Sequence, residues 1–229
     1  KRRLVDRPER LSLGRTGLLV LTMIALVVST EFFALAFNER VTPVMPAESR
    51  FTSDRSVLRD ALAAGVAARG RTALYDAISG ALDEMGRSHR ERKVIVVISD
   101  GGDNASTASF TDTLRKAQAS NVVIYTIALV DPLVPDRNPK QLRRFAEATG
   151  GRFFDPRSME RVDDALHSVS LDIRSGYTLA YVSSNTLRDV TLRRIRLNVV
   201  ALDGRRLIGR TRAGYVAASE HGSEVEVRR

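Results

Sequence analysis

The chain has 229 residues, 43% apolar and 28% charged, which is ordinary for a globular protein and sets aside disorder as a starting point. Its net charge is +9, but the excess sits at the two ends: six basic and two acidic residues in 1–15, and eight Arg with two Asp in 187–212. That distribution gives no continuous basic face with aromatic platforms, so no nucleic-acid partner is expected. The absence of Cys rules out disulfides, thiolate metal sites and a Cys nucleophile.

The basic leader runs into residues 16–30 (TGLLVLTMIALVVST), which carry no charge. A basic leader before a short apolar run is the pattern of a signal peptide or signal anchor, and membrane association through 16–30 is one expectation. The run is shorter than the ~20 residues that span a bilayer comfortably. A buried helix or strand is the other expectation, because short apolar runs look alike by periodicity.

From Glu31 onward the pattern is regular. Phe32–Phe37 and Val41–Met45 read as two strands linked tightly by Asn38-Glu39-Arg40, and Pro43 puts the second strand at an edge. Thr52-Ser53-Asp54 offers N-cap chemistry for a helix over 55–65, and Thr72 for a helix that ends near Gly86. Val94–Ile98 is an unbroken β-branched run, the pattern of a strand covered on both faces. A helix is expected over 109–119, and a second buried strand over Val122–Leu129. Next come a helix over 140–149 closed by Gly150-Gly151, a short strand at Arg152–Phe154 and a helix over 158–173. On this last helix Met159, Val162, Ala165, Leu166 and Val169 are expected to face inward. Strands alternating with helices predict βαβ units. The tail has no such alternation: Tyr177–Val182, Leu192–Ala201 and Arg206–Tyr215 read as strands, with Asp203-Gly204 as a hairpin turn.

Three segments in this order resemble a von Willebrand factor type A domain: Gly70-Arg71-Thr72-Ala73-Leu74-Tyr75-Asp76-Ala77-Ile78; Val94-Ile95-Val96-Val97-Ile98-Ser99-Asp100-Gly101-Gly102-Asp103-Asn104; and Val122–Leu129 with the helix ending at Thr149-Gly150-Gly151. The segment Arg174–Tyr181 is similar to an acidobacterial subgroup in which the domain carries a C-terminal β extension. The resemblance implies a Rossmann-like, doubly wound α/β fold: a mostly parallel sheet with helices on both faces, plus a small antiparallel extension. Residues 1–30 would then be a leader or degenerate first elements, 31–173 the domain, 174–216 the extension and 217–229 a polar tail.

In that family a metal-ion-dependent adhesion site lies at the C-terminal edge of the sheet, where open α/β sheets bind ligands. It is built from an Asp-x-Ser-x-Ser loop, a Thr and an Asp, and usually holds magnesium, which a partner carboxylate then ligates. By position, Thr72 and Asp100 match the Thr and the Asp. From the residues alone, Thr72 reads as an N-cap and Asp100 as a turn residue. Asp103 and Asn104 are expected to hydrogen-bond the loop backbone or, with Gly101, to line the surface that meets the partner. No Asp-x-Ser-x-Ser occurs in the sequence; the family would place it near or before Lys1. The resemblance thus implies a protein-binding module with magnesium at a partial site, in an exported or membrane-associated bacterial protein. A scaffold working without metal is the second expectation.

An enzyme is not expected. His89, His167 and His221 have no neighbouring nucleophile and carboxylate in a triad pattern, and Asp100-Gly101-Gly102-Asp103 is too acidic to cradle phosphate.

Overall fold

A computed structural model describes residues 31–46, 50–65, 71–90, 92–129, 138–156, 158, 160–179 and 191–217. The apolar run 16–30 and its leader, Met159, His221, the end of the expected 177–182 strand and nearly all of the polar tail lie outside these residues. Two compact units divide the chain, one including Val44–Ala64 and the other Leu35–Pro43 with the chain from Gly65 on.

In the first unit, Phe32 and Thr52 form an isolated antiparallel bridge, and the Phe33 and Phe51 rings lie 5.5 Å apart. Helix α1 (Arg55–Gly65) starts where the sequence places it, because Asp54 Oδ1 accepts from the Ser56 N–H and hydroxyl, both at 2.7 Å. Its expected apolar stripe is only partly covered, with Val57 and Leu62 exposed.

The second unit opens with a hairpin of β1 (Leu35–Phe37) and β2 (Val41–Pro43). Its turn is closed by the Asn38 side chain, which accepts from Arg40 N–H at 3.0 Å. Pro43 is tolerated because, among the described residues, β2 pairs only with β1. Helix α2 (Leu74–Arg87) buries Leu74, Ala77, Ile78, Ala81, Leu82 and Met85, the i, i+3, i+4 spacing that puts one stripe on the core. A parallel sheet follows, with order β3 (Lys93–Ser99), β4 (Val122–Ala128), β5 (Phe153–Phe154). Its connections are α3 (Phe110–Ala119) and α4 (Pro139–Thr149).

Helices cover both faces of β4. Thr126 donates its hydroxyl to the Leu142 carbonyl of α4. The next residue back, Tyr125, points the other way, and α5 (Glu160–Ser175) also packs against β4. Alternation along a strand makes these opposite faces. The core is centred on Phe145, Leu142, Ile124, Ile127, Leu74 and Ile78, all essentially inaccessible. Phe145 stacks edge-on against Phe110 at 5.1 Å and lies 6.4 Å from Tyr75.

Two expectations are corrected here. Strand β3 is covered on one face only among the described residues: Ile95, Val97 and Ser99 are buried, whereas Val96 and Ile98 are 39% and 40% exposed. An unbroken β-branched run reports strand propensity but not what packs against it. Leu166 on α5 is also exposed, while Ala165 and Val169 are buried.

The C-terminal β structure is antiparallel, as expected, but more broken. The segment 192–201 divides into β6 (Leu192–Arg194) and β7 (Val199–Val200), and 206–215 into β8 (Arg206–Leu207) and β9 (Gly214–Val216). β6 pairs with β9 and β7 with β8. Gly204 (φ 85°) makes the Asp203-Gly204 turn. Arg212 fastens this tail to the end of α3, donating to the Gln118 and Ser120 carbonyls at 2.6 Å and to Asn121 Oδ1 at 3.2 Å. A guanidinium suits a helix C-terminus, where carbonyls lack partners.

Candidate functional site

Asp100 follows the last residue of β3, and Thr72 precedes α2, so both lie at loop positions around the C-terminal end of the parallel strands. The loop from Asp100 to Ser109 is ordered by its own short oxygen side chains. Asp100 Oδ1 accepts from Gly102 N–H at 2.9 Å, and Ser99 Oγ from Gly101 N–H at 3.1 Å. Gly101 adopts φ 83°, and a Cβ there would sit 2.5 Å from the Asn138 carbonyl oxygen. It is buried, so its part in the loop is played by its backbone.

The same loop caps α2. The N-cap residue is Ala73, with no side-chain cap, so Thr72 is not the cap that the sequence suggests. The orphan N–H groups of the first turn are met from about thirty residues away. Tyr75 N–H donates to Asp103 Oδ2 at 2.9 Å, and Asp76 N–H to Ser106 Oγ at 3.0 Å. Ser106 Oγ in turn donates to Asp103 Oδ2 at 2.5 Å. The exchange is reciprocal. Asp76 accepts from the Thr107 and Ala108 N–H groups, both at 2.9 Å, and from the Thr107 hydroxyl. Burial pushes the Asp76 carboxyl up, but these bonds together outweigh it and leave its pKa below the ordinary value. Asn104 Oδ1 accepts from Thr72 N–H at 2.8 Å, and the Thr72 carbonyl accepts from the Asn104 and Ala105 N–H groups.

The five sequence-derived residues therefore gather in one loop pair. Asp103 and Asn104 act inwardly, on backbone; Asn104 also keeps an exposed surface. Asp76, Ser106 and Thr107 were not singled out as site residues by sequence. The available signal was the Ser106-Thr107-Ala108-Ser109 run before α3, where Ser109 does cap, accepting from Asp112 N–H at 3.1 Å.

Thr72 and Asp100 differ from this latch. Among the described residues, the Thr72 hydroxyl and Asp100 Oδ2 have no hydrogen-bond partner. Both are hard oxygen donors, the type magnesium takes, but they supply two of about six positions, leaving the rest to water and a partner. No group of three or more His, Asp or Glu able to hold a metal occurs among the described residues. His89 and His167 are both exposed.

The family model for the von Willebrand factor type A domain matches residues 25–168, more than half of the chain. Among solved structures, a von Willebrand factor type A protein from Catenulispora acidiphila is 21% identical with a TM-score of 0.52, over 68% of this chain and 38% of that one. The present chain thus spans well under half of that protein. A conserved hypothetical protein, BatB, from Bacteroides thetaiotaomicron is 14% identical with a TM-score of 0.50, over 69% of this chain and 86% of that one. An aerotolerance-related membrane protein from Bacteroides fragilis is also 14% identical, over 66% and 84%, but its TM-score of 0.46 is too low to weigh. Identities this low speak for fold alone. No curated protein matches the chain. The parallel sheet flanked by helices, the loop cluster at its C-terminal end and the family match agree: the chain belongs to the von Willebrand factor type A domain family.

Proposed function

We propose that the chain is a protein-binding module whose partner docks on the loops at the C-terminal end of the sheet. Domains of this family are typically interaction modules. The observation that carries the reading is the division of labour among the loop oxygens. Asp76, Asp103 and Ser106 are spent on holding the loop to α2, whereas Asp100 Oδ2 and the Thr72 hydroxyl are left over on that fixed frame. In this reading Thr72 and Asp100 contribute to a magnesium ion that an acidic group of the partner completes, with Asp103 and Asn104 beside it and Gly101 shaping the loop from beneath. The setting would be an exported or membrane-associated bacterial protein, of the subgroup that carries a β extension. No helix of the described residues is long and apolar enough to cross a membrane.

A second reading, a scaffold that binds without metal, is favoured by the absence, among the described residues, of any group of three or more His, Asp or Glu that could hold a metal. Thermal unfolding with and without millimolar magnesium separates the two. At a hundredfold excess over Kd, binding adds about 2.7 kcal/mol, which for a chain of this size is a rise of roughly 5–10 °C in Tm. A rise abolished by Asp100→Ala supports the metal reading. An unchanged Tm refutes it and leaves the scaffold.

A further inference from the structure

The hairpin β7–β8 and the strand leading into it carry a surface that the loop site does not use. From Leu192 to Val200, exposure alternates residue by residue. Leu192, Arg194, Arg196, Asn198 and Val200 face solvent, and Arg193, Ile195, Leu197 and Val199 are half-covered. Val200 pairs with Arg206 across the hairpin, so Arg206 joins the outer face, and two residues on, Ile208 does too. Leu202 stands at the turn. Ile208 is 97% exposed and Leu202 fully so, while Val200 is 61% exposed. Residues 191–217 hold seven Arg and one Asp. That Asp203 is taken by Arg205 at 2.7 Å, and Arg210 lies 3.6 Å from Asp172. The side chains of Arg194, Arg196 and Arg206 have no ion-pair or hydrogen-bond partner among the described residues.

A face of arginines with unpaired side chains, interleaved with exposed aliphatic side chains, is the kind of patch that marks an interaction surface. The chemistry separates the candidate partners. A nucleic-acid backbone would use the arginines but leave Leu202, Val200 and Ile208 in water, and the face has no aromatic ring to stack a base. An anionic bilayer uses both. Its headgroup phosphates pair with guanidinium groups, and the aliphatic side chains enter the boundary between headgroups and acyl chains. Arginine suits that position because its stem lies along apolar surface while its head reaches phosphate.

We propose that the β7–β8 hairpin is a docking surface for an anionic phospholipid bilayer, with Arg194, Arg196 and Arg206 on the headgroups and Leu202, Val200 and Ile208 inserted. The test is co-sedimentation of the full chain with phosphatidylcholine vesicles with and without phosphatidylglycerol. The chain has no Trp, so Ile208→Trp adds a single reporter of insertion. Binding is expected only with phosphatidylglycerol, with a blue shift of the Trp emission. An arginine near an anionic surface contributes roughly fivefold, so the charge-reversal triple variant Arg194→Glu/Arg196→Glu/Arg206→Glu should bind at least a hundredfold more weakly. Leu202→Ser/Ile208→Ser should weaken binding at least tenfold. All of these sites are exposed, and an unchanged circular dichroism melt confirms that each variant folds. Undiminished binding of the triple variant overturns the proposal, since another part of the chain, such as residues 1–30, then carries the affinity. Undiminished binding of the aliphatic variant, or an unshifted Trp, overturns the insertion. Arginine-dependent binding to duplex DNA in place of vesicles overturns the choice of partner.

Discussion

Removing the Asp76 side chain tests whether the loop latch is a stabilising element or a by-product of the fold. Its two carboxylate oxygens accept from two successive N–H groups, Thr107 and Ala108, at 2.9 Å each. Hydrogen bonds to a charged group contribute about 1.5–3 kcal/mol each when half-buried, and less where water can replace the partner. Thr107 is exposed and Ala108 is half-covered, so Asp76→Ala should cost about 2–3 kcal/mol and Asp76→Asn, which keeps one acceptor, about 1–2. The assay is urea unfolding followed by circular dichroism, with m unchanged. The pH dependence supplies an independent check. Asp76 has a folded pKa below its unfolded value, so its contribution is complete above the unfolded pKa of about 3.9 and is lost as pH falls through the folded pKa. The gap between wild type and Asp76→Ala should be full near about pH 7 and close in strong acid. A gap below about 0.5 kcal/mol at neutral pH, or one that persists undiminished in strong acid, refutes the reasoning.

Phe145→Ala leaves a cavity among Phe110, Tyr75 and Leu142 and should cost about 3–5 kcal/mol in the same assay. Gly101→Ala and Gly204→Ala both place an alanine at positive φ, but only the first meets backbone, at 2.5 Å. The first should lose several kcal/mol and the second about 1–2, and equal losses would show that the contact with Asn138 is relieved cheaply. Gly80→Ala, mid-helix with nothing within 4 Å of the new Cβ, should raise stability by about 0.4–1 kcal/mol; a lowered Tm would mean that α2 is more closely packed at that point than its geometry shows.

What could be read from the sequence was whatever depends on local chemistry. The stripe Leu74, Ala77, Ile78, Ala81, Leu82 and Met85 fixes both the existence and the buried face of α2. Gly150 ends α4 in the left-handed conformation that its sequence announces. Asp54 caps α1 from within its own turn. What escaped depends on partners distant in sequence. Thr72 looks like a cap because it has the right side chain in the right place, yet the caps arrive from Asp103 and Ser106. Val94–Ile98 reads as fully enclosed because β-branching favours strands whether or not a second layer covers them. The strand Leu192–Ala201 appears continuous because alternation survives across 195–198, where the pairing partner changes from β9 to β8. At the candidate site, residue types and order were legible, but which oxygens were spent on the loop and which were left over required coordinates.

The cross-capping of α2 ties two stretches of chain into one thermodynamic event. Neither the first turn of α2 nor the loop after β3 is self-sufficient, since each supplies the acceptors for the other's N–H groups across sequence separations of 28 to 32 residues. Such segments open and close together. The amides of Tyr75, Asp76, Thr107 and Ala108 should therefore exchange with deuterium at a common rate, although they sit on different elements. The first turn of the helix gains these caps only once the loop after β3 is in place, a non-local contact. A ligand that stiffens one half of this pair would slow exchange in the other half without touching it.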